Sequence, residues 1–539
     1  MIGKAKRRRF MLLAQNIGLR YGKRVLFEHV NIKFEGENCY GIIGANGAGK
    51  STFLKILSGE IESTSGEVIL TKGERISTLK QNHHEYDDLT VLETVIGGDD
   101  ELYSIMKEKD ALYAKEDFSE KDGIRVGYLE DLFLKKNGWE AEANASILLS
   151  GLGISNEVYD QKMKEQKDAD KVKILLARAL FGDPDILLLD EPTNGLDLKS
   201  KLWLEDFLVN FKHTVLVVSH DRHFLNTVCT YMVDIDYEKI TLFVGNYDFW
   251  YESSQLLLKQ MKESNKRKEE KMEELKSFIQ RFSANASKSK QATSRKKLLE
   301  KITLDEIKPS SRKYPYIHFE MGTRLGKEVL KLENVTLTYE GKEVLKNFNL
   351  TVKNTDKIAF VGNNELAKTA LFKAIMGEIP LQSGEIKVGS TVKFSYFPKN
   401  HDAYFKEDKN LVEFLRQYSE KKEDAYVRGF LGRMLFSGEE SLKKLPVLSG
   451  GEKVRVYLAK MMQEKGNVLI FDEPTNHLDI ESITALNKGM EAFEGAILFS
   501  SFDQELMETV ANRIIKFEED ARYLDNEIPY QEFLERYGE

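Results

Sequence analysis

The chain has 539 residues and a formal net charge of −8, and 41% of its residues are hydrophobic. This length predicts several domains, each with a core of its own. No stretch approaches the roughly 18 apolar residues that span a bilayer, and an ordinary strand follows the basic residues 4–9 where a signal peptide would have its apolar core. The two cysteines, Cys39 and Cys229, are too few for a disulfide framework, a zinc ribbon or an iron–sulfur cluster. We therefore expect a cytoplasmic protein. Because Met11 begins the first predicted strand, residues 1–10 are a candidate upstream extension.

A glycine-rich loop between a predicted strand and a predicted helix is the first motif that carries chemistry. Its glycines let consecutive backbone N–H groups turn inward around phosphates at a helix N-terminus. The lysine of such a P-loop reaches the β- and γ-phosphates, and the serine supplies a ligand to Mg²⁺. The loop consists of Gly44, Ala45, Asn46, Gly47, Ala48, Gly49, Lys50, Ser51 and Thr52.

Further residues of the same half complete a predicted ATP site. Asp190 closes an apolar strand and is expected to hold Mg²⁺ through water, while Glu191 is placed to orient or deprotonate the attacking water. Gln81 is a candidate for the metal shell, and His220 is a candidate for contact with the γ-phosphate. Tyr21 is a candidate to stack on adenine, although packed core is an equal alternative for an aromatic residue in a strand. A P-loop alone would indicate only an NTPase, but these motifs in this order indicate an ABC-type ATPase cassette.

The second half of the chain repeats the first at nearly constant spacing. Asp190 to His220 and Asp472 to Phe502 both span 30 positions. So many spacings in register are not a chance similarity. The first half carries 36 additional residues, which predict a short helical hairpin inserted near residues 93–145.

The second P-loop has lost part of its motif. Glu365 replaces a phosphate-cradling glycine, Lys399 replaces the glutamine, and Phe502 replaces the histidine. A carboxylate about 4 Å from a phosphate costs on the order of 4 kcal/mol at an effective dielectric constant of 20. Weak or static nucleotide binding is compatible with this loop, but fast turnover is not expected. The residues that remain for such a degenerate site are Tyr339, Gly362, Asn364, Lys368, Thr369, Asp472 and Glu473.

The signature motif shows the opposite asymmetry. Ser449, Gly450 and Gly451 open a helix whose N-terminal amides would face the γ-phosphate bound by the partner P-loop. The corresponding segment of the first half, residues 166–170, has lost the motif. Because such cassettes pair head-to-tail, the intact signature faces the first P-loop and the losses fall together in the other site. The sequence therefore predicts one competent and one degenerate composite ATP site.

Two helices are predicted between the two cassettes. The first runs from about Tyr251 to Phe282, and the second starts near Ser294 and must end before Pro309, which would break it. The chain therefore divides into a first cassette (11–250), a linker (251–327) and a second cassette (328–539).

The linker is basic although the chain as a whole is acidic. Residues 259–313 contain 17 Lys and Arg against 8 Asp and Glu, and residues 275–299 contain no acidic residue. A solvated pair of charged helices is the alternative, but such helices usually carry both signs of charge. The acid-free tip instead predicts contact with RNA phosphates. The candidates for RNA contact are Lys276, Arg281, Lys288, Lys290, Arg295, Lys296 and Lys297.

These motifs together resemble those of the ABC-F family, soluble tandem ABC ATPases without membrane domains that act on the ribosome. The resemblance covers essentially the whole chain, including residues 281–290 and 430–436, and is closest to the YbiT-type branch, in which a second P-loop with residues 364–367 as Asn-Glu-Leu-Ala is typical. It implies an α/β fold with two P-loop ABC cassettes joined by a long helical-hairpin linker. It also implies that the insertion is an arm that reaches ribosomal protein and RNA, and that the linker approaches peptidyl-tRNA.

The resemblance thus predicts an ATP- and Mg²⁺-dependent translation factor whose partners are the ribosome, through rRNA and ribosomal proteins, and tRNA, with no membrane and no obligate partner chain. The lost first signature, Gly195 in place of a histidine, and Phe502 argue against symmetric hydrolysis of two ATP molecules. A cytosolic ATPase subunit of an exporter is the main alternative, and a non-hydrolysing scaffold is another. The basic linker tip argues against the first alternative, and the intact first P-loop argues against the second.

Overall fold

The structure, a computed structural model, describes residues 11–22, 24–80, 84–282, 310, 312–362, 364–518 and 520–537. The chain forms two compact units. The first spans Met1–Glu74, Lys212–Val217 and Leu225–Ser311, and the second spans Arg75–Phe211, Val218–Phe224 and Arg312–Glu539. The predicted first cassette therefore contributes to both units, whereas the predicted second cassette lies within one.

The first half alternates strands and helices, as the predicted α/β class requires. Its strands are β1 (Met11–Tyr21), β2 (Arg24–Glu35), β3 (Cys39–Gly44), β4 (Ser65–Leu70), β5 (Ile76–Thr78), β6 (Ile186–Asp190), β7 (Thr214–Val218), β8 (Tyr231–Asp236) and β9 (Lys239–Val244). Its helices are α1 (Lys50–Leu57), α2 (Val91–Ile96), α3 (Asp100–Tyr113), α4 (Glu120–Lys135), α5 (Ala141–Gly151), α6 (Asp168–Leu180), α7 (Leu198–Val209), α8 (Arg222–Val228) and α9 (Tyr247–Phe282).

The second half repeats the same order of strands around fewer helices. Its strands are β10 (Glu328–Tyr339), β11 (Lys342–Lys353), β12 (Lys357–Val361), β13 (Ser383–Val388), β14 (Phe394–Phe397), β15 (Val468–Asp472), β16 (Ala496–Ser500), β17 (Arg513–Phe517) and β18 (Tyr523–Asn526). Its helices are α10 (Glu365–Ile375), α11 (Leu411–Tyr418), α12 (Asp424–Arg433), α13 (Gly450–Glu464), α14 (Ile480–Glu491), α15 (Gln504–Val510) and α16 (Tyr530–Tyr537).

The sheet of the second half places its P-loop and its acidic pair at one edge. The strand order is β14-β15-β16-β12-β17-β18, parallel except for the last strand. Strands β15 and β16 are buried throughout, which explains their continuous apolar runs, because a parallel sheet is covered on both faces. The P-loop follows the carboxyl end of β12, and Asp472 stands at the carboxyl end of β15. Ligands of open α/β sheets bind at such an edge. A separate antiparallel sheet has the order β11-β10-β13.

The strands of the first half have the same neighbours within each unit as their equivalents in the second half. In the first unit, β2-β1-β4 form an antiparallel sheet, and β7, β3, β8 and β9 lie side by side in that order. The buried strand β3 leads into the first P-loop. In the second unit, β5 pairs with β6 in parallel.

Helices α3 and α4 lie within the predicted insertion near residues 93–145. They pack against each other as a hairpin over residues 100–135. The hairpin buries Leu102 and Leu129, and Arg125 Nε donates a hydrogen bond to Glu108 Oε1 at 2.7 Å across its surface.

The first linker helix begins four residues earlier than predicted and ends where predicted. Helix α9 has 36 residues and a length of about 54 Å at the usual rise of about 1.5 Å per residue. The predicted turn and second linker helix lie outside the described residues. No helix within the described part of the chain combines the length and apolarity that a bilayer crossing requires.

Candidate nucleotide-binding sites

The first P-loop has the left-handed backbone that its glycines predict. Gly47 has a φ of 76° and Gly49 a φ of 104°, and helix α1 begins immediately afterwards at Lys50. The Lys50 ammonium donates a hydrogen bond to the carbonyl oxygen of Gly44 at 2.8 Å. The start of the helix exposes Ser51, the predicted metal ligand, whereas Lys50, the predicted phosphate ligand, is buried.

Two residues flank this loop from the neighbouring strands. Tyr21 closes β1 with 56% of its surface exposed, which removes the packed-core alternative and leaves its ring accessible for stacking. Arg24 Nη2 donates a hydrogen bond to the Gly47 carbonyl oxygen at 2.9 Å. Sequence reasoning missed Arg24, because no motif marks an arginine near the start of a strand as a P-loop contact.

Two of the predicted catalytic residues of the first half lie in contact. Glu191 follows β6 with a φ of 53°, and its backbone N–H donates to the Val218 carbonyl oxygen at 2.8 Å. One carboxylate oxygen lies 3.2 Å from His220 Nε2, and the other accepts the His220 backbone N–H at 3.2 Å. The Glu191 carboxylate is therefore held by His220, the histidine that lies 30 positions after Asp190. Gln81 lies outside the described residues.

Glu473, the second-half equivalent of Glu191, has the same backbone conformation but no histidine beside it. Glu473 has a φ of 54°, and its N–H donates to the Ser500 carbonyl oxygen at 3.1 Å. Because Phe502 replaces the histidine, neither carboxylate oxygen of Glu473 has a hydrogen-bond partner among the described residues. Burial raises the pKa of Glu473 to about 7, against the opposing effect of Lys368 and Lys399. The surroundings of Glu473 therefore differ from those of Glu191, which is predicted to orient or deprotonate the attacking water.

The cations of the second site face protein carboxylates. Lys368 Nζ lies 4.0 Å from Glu473 Oε1 and 5.0 Å from the centre of the Phe502 ring. Lys399 Nζ lies 2.6 Å from Glu365 Oε2. Lys373 donates a hydrogen bond to the Tyr339 hydroxyl at 2.8 Å. Tyr339 is thus hydrogen-bonded within the protein, whereas its equivalent Tyr21 is exposed.

Thr369 and Asp472, the second-half equivalents of the predicted metal ligands Ser51 and Asp190, lie next to each other. Thr369 Oγ1 donates a hydrogen bond to Asp472 Oδ2 at 2.8 Å, and Ser500 Oγ donates one to Asp472 Oδ1 at 2.9 Å. Burial raises the pKa of Asp472. The position that corresponds to Ser500 in the first half is Val218, which has no hydroxyl to offer Asp190.

The intact signature begins a well-capped helix. Ser449 is the N-cap of α13, and its backbone N–H donates to Glu452 Oε2 at 2.9 Å in a reciprocal capping box. The glycines that follow are packed against His477. A Cβ on Gly450 would lie 3.2 Å from the His477 ring, and a Cβ on Gly451 would lie 2.7 Å from its carbonyl oxygen. The close approach of the His477 carbonyl therefore requires Gly451, and a side chain at position 450 would require the His477 ring to shift by a few tenths of an ångström.

The first half has changed both sides of this contact. Helix α6 begins at Asp168, and its N-cap, Lys167, forms no side-chain cap hydrogen bond. Gly195, with a φ of 76°, stands at the position of His477, and no atom of the described chain lies within 4 Å of a Cβ placed there. The first half therefore has no imidazole at the position where the His477 ring approaches Gly450 in the second half.

The segment that follows His220 contacts the second half within the same compact unit. Arg222 forms an ion pair with Glu505. Asp503 lies close to Asp221, and burial together with the Asp221 carboxylate raises the pKa of Asp503 to about 6. The sequence predicted none of these contacts, because they join residues that are almost 300 positions apart.

The described residues cover little of the predicted RNA-contact surface. Lys276 is exposed on α9, and Arg281 lies on the same helix. The remaining candidates lie outside the described residues.

Comparisons with known proteins agree with this architecture. The ABC transporter family profile matches residues 27–194 and 345–476, and a second ABC transporter profile, ABC_tran_Xtn, matches residues 233–319. The chain is 58% identical to YkpA of Bacillus subtilis over 97% of both chains, and 42% identical to YbiT of Escherichia coli O157:H7 over 98% of this chain and all of that one. It is 30% identical to human ATP-binding cassette sub-family F member 3 over 94% of this chain and 71% of that protein.

Solved structures of low sequence identity show the same fold. An RNase-L inhibitor has a TM-score of 0.62 at 16% identity, with 97% of this chain and 93% of that chain covered. An archaeal ribosome recycling factor, aABCE1, has a TM-score of 0.60 at 16% identity, with 97% and 92% covered. Two cassettes, each with a P-loop, and a matched linker segment define a tandem ABC ATPase. Within that class, the chain belongs to the ABC-F family.

Proposed function

We propose that this protein is an ATP-dependent translation factor, which binds the ribosome and tRNA and modulates the geometry of the peptidyl-transferase region until ATP hydrolysis releases it. The observation that carries the proposal is the linker. Helix α9 is about 54 Å long at about 1.5 Å per residue, and it leads into a segment without acidic residues. Cations clustered in this way bind nucleic-acid phosphates and release counterions. Family membership and the likeness to a ribosome recycling factor support the same function.

The first P-loop is proposed as the hydrolytic site. Lys50 neutralises the β- and γ-phosphates, and Glu191 orients the attacking water and accepts its proton while His220 holds the carboxylate in place. By the head-to-tail pairing of such cassettes, Ser449 and Gly450 offer helix N-terminal amides to the γ-phosphate. Glu473 lacks a partner comparable to His220, so hydrolysis is assigned mainly to the first site.

The residues of the first half fit Mg²⁺. Ser51, exposed at the start of α1, and Asp190, at the end of β6, are oxygen donors, which this cation prefers. Gln81 is the further candidate ligand. The bound cation would neutralise charge that develops on the phosphates.

Reversal of the linker charge tests ribosome binding. We expect the quadruple variant K288E/K290E/R295E/K296E to lose most co-sedimentation with ribosomes at about 0.1 M salt, because repulsion replaces phosphate contacts. The matched control K259E/K262E/K266E/K268E changes the same number of cations nearer the start of α9. Unchanged sedimentation of the tip variant, with unchanged nucleotide binding, would contradict a linker role and would favour the exporter-subunit alternative.

Removal of the hairpin tests the arm. Replacing residues 100–135 with a short loop is expected to leave the basal ATPase rate within about two-fold of wild type and to reduce ribosome affinity or ribosome-stimulated turnover. The reason is that α3 and α4 lie within an insertion that the second cassette lacks. Loss of nucleotide binding in the shortened protein would instead show that the insertion belongs to the cassette core.

A further inference from the structure

We propose that the second P-loop takes no nucleotide, because a turn of helix and the protein's own side chains occupy the place of the phosphates, so that the chain binds one ATP. This inference deepens the proposed function and rests on it for the assignment of the first site.

The two P-loops differ in where the following helix begins. Helix α1 begins at Lys50, after two glycines in left-handed conformations. Helix α10 begins at Glu365, three residues before the equivalent Lys368. The residues that correspond to the inward-turned glycine loop therefore lie in a helical turn. A helical turn directs its free N–H groups along one axis, so it offers a phosphate an end-on contact in place of the inward-curving row of donors that a glycine loop forms.

A side chain already caps the first donors of that turn. Asn364 Oδ1 accepts the backbone N–H of Ala367 at 3.0 Å, and Ala367 corresponds to Gly49, which has no side chain. Asn364 Nδ2 also donates to the carbonyl oxygens of Val344 and Glu518, each at 3.2 Å. The amide thus supplies the acceptor that a phosphate oxygen would supply and fixes the loop to two neighbouring segments.

The charges of the second site are matched without a ligand. Lys399 is paired with Glu365 at 2.6 Å, and Lys368 faces Glu473 at 4.0 Å with both side chains almost completely buried. A triphosphate would have to displace both pairs and would meet the Glu365 carboxylate. Breaking the buried Lys368–Glu473 pair would leave an uncompensated buried charge, which is strongly destabilising. The Lys399–Glu365 pair is partly exposed, so its loss costs less.

The donor set of the second half does not fit Mg²⁺. Both oxygens of Asp472 accept hydrogen bonds, from Thr369 and from Ser500. Lys399 stands where the first half has a glutamine, and an ammonium group has no lone pair with which to bind a cation. The second site therefore lacks both the phosphate cradle and the metal shell.

This arrangement gives the second cassette a single role in the ATP cycle. It retains the capped signature helix α13, which serves the first P-loop, while its own P-loop stays closed by internal contacts.

Binding stoichiometry tests the inference. We expect the E191Q protein to bind one ATP per chain in the presence of Mg²⁺, measured by equilibrium dialysis with radiolabelled ATP, and the K50A/E191Q protein to bind none. Two ATP molecules per E191Q chain would overturn the inference. One ATP bound by K50A/E191Q would instead overturn the assignment of the first site, so the two failures are distinguishable.

Substitutions that restore the glycines of the second P-loop test whether this loop is what prevents binding of a second ATP. In the E191Q background, the substitutions E365G, A367G and K399Q are expected to raise the stoichiometry from one to two. The control E365Q removes only the charge, and it is expected to remain at one, because the helical turn persists. A restored variant that keeps its melting temperature but still binds one ATP would show that this loop is not what excludes nucleotide and would overturn the inference.

Discussion

The two carboxylates Glu191 and Glu473 occupy equivalent positions in the two halves, yet their surroundings are opposite. Their backbones agree closely, with φ values of 53° and 54° and with an N–H donated to the end of the neighbouring strand. Glu191 is hydrogen-bonded to His220, whereas Glu473 lies 4.0 Å from the Lys368 ammonium and has a pKa raised to about 7 by burial. The comparison teaches that two equivalent backbones can hold their carboxylates among different side chains.

The largest expected difference between the halves is catalytic. We expect E191Q to reduce steady-state ATP hydrolysis at least about 100-fold, since a positioned carboxylate contributes orders of magnitude only where water is otherwise poised. E473Q, which makes the equivalent change in the other half, is expected to retain at least about half of the turnover. Parallel steady-state rates check this prediction, together with the amount of ATP-bound E191Q protein that co-sediments with ribosomes. Large and equal losses in both variants would show that the second site also hydrolyses ATP.

A smaller difference concerns the packing of the two signature helices. We expect G451A to destabilise the protein by about 1–3 kcal/mol, because its Cβ would lie 2.7 Å from the His477 carbonyl oxygen and overpacking has this cost. The matched change at the equivalent position of the first half, A169G, is expected to cost less than about 1 kcal/mol. The measurement is the free energy of unfolding in urea.

G450A sharpens the same comparison. Its Cβ would lie 3.2 Å from the His477 ring, so the H477G substitution, which imitates Gly195, is expected to reduce the cost of G450A in a double-mutant cycle. Strictly additive costs would show that the signature glycines and His477 are not coupled and that the two changes in the first half are independent.

The smallest expected effect is a pH dependence at the contact between the segment after His220 and the second half. Asp503 has a pKa of about 6 in the folded protein and a usual value of 3.8. Between these values the folded chain binds more protons than the unfolded chain, so the stability contribution of this group falls as pH rises from about 4 to about 6.

The D503N variant removes the free-energy cost of ionising the buried Asp503. Its amide oxygen still accepts the backbone N–H of Leu506, so the helix N-cap is kept. The variant is therefore expected to be more stable than wild type at pH 7–8 by at most about 3 kcal/mol, and the advantage should vanish near pH 4. Differences in melting temperature across pH measure the effect. A constant advantage at all pH values would contradict burial of a charged Asp503.

Much of the candidate site of the first half could be predicted, because its residues form linear motifs. Lys50, Glu191 and His220 follow from a P-loop, a strand-ending acidic pair and a fixed spacing, and the structure brings Glu191 and His220 together. Arg24, Arg222 and Asp503 could not be predicted. Each acts through a residue brought near it only by folding, and none belongs to a motif.

The sequence by itself determined the repeat, the order of the motifs and the uneven distribution of their losses, because a P-loop and an apolar strand followed by an acidic residue are local features. It also identified Glu365 as an obstacle to phosphate binding. Only the tertiary structure decided that helix α10 begins at Glu365, that Asn364 caps its first turn, and that the His477 carbonyl lies where it requires Gly451. The physical reason is that backbone conformation at a loop depends on which distant groups satisfy its hydrogen bonds and fill its space, and the sequence does not specify those groups until the strands and helices have packed.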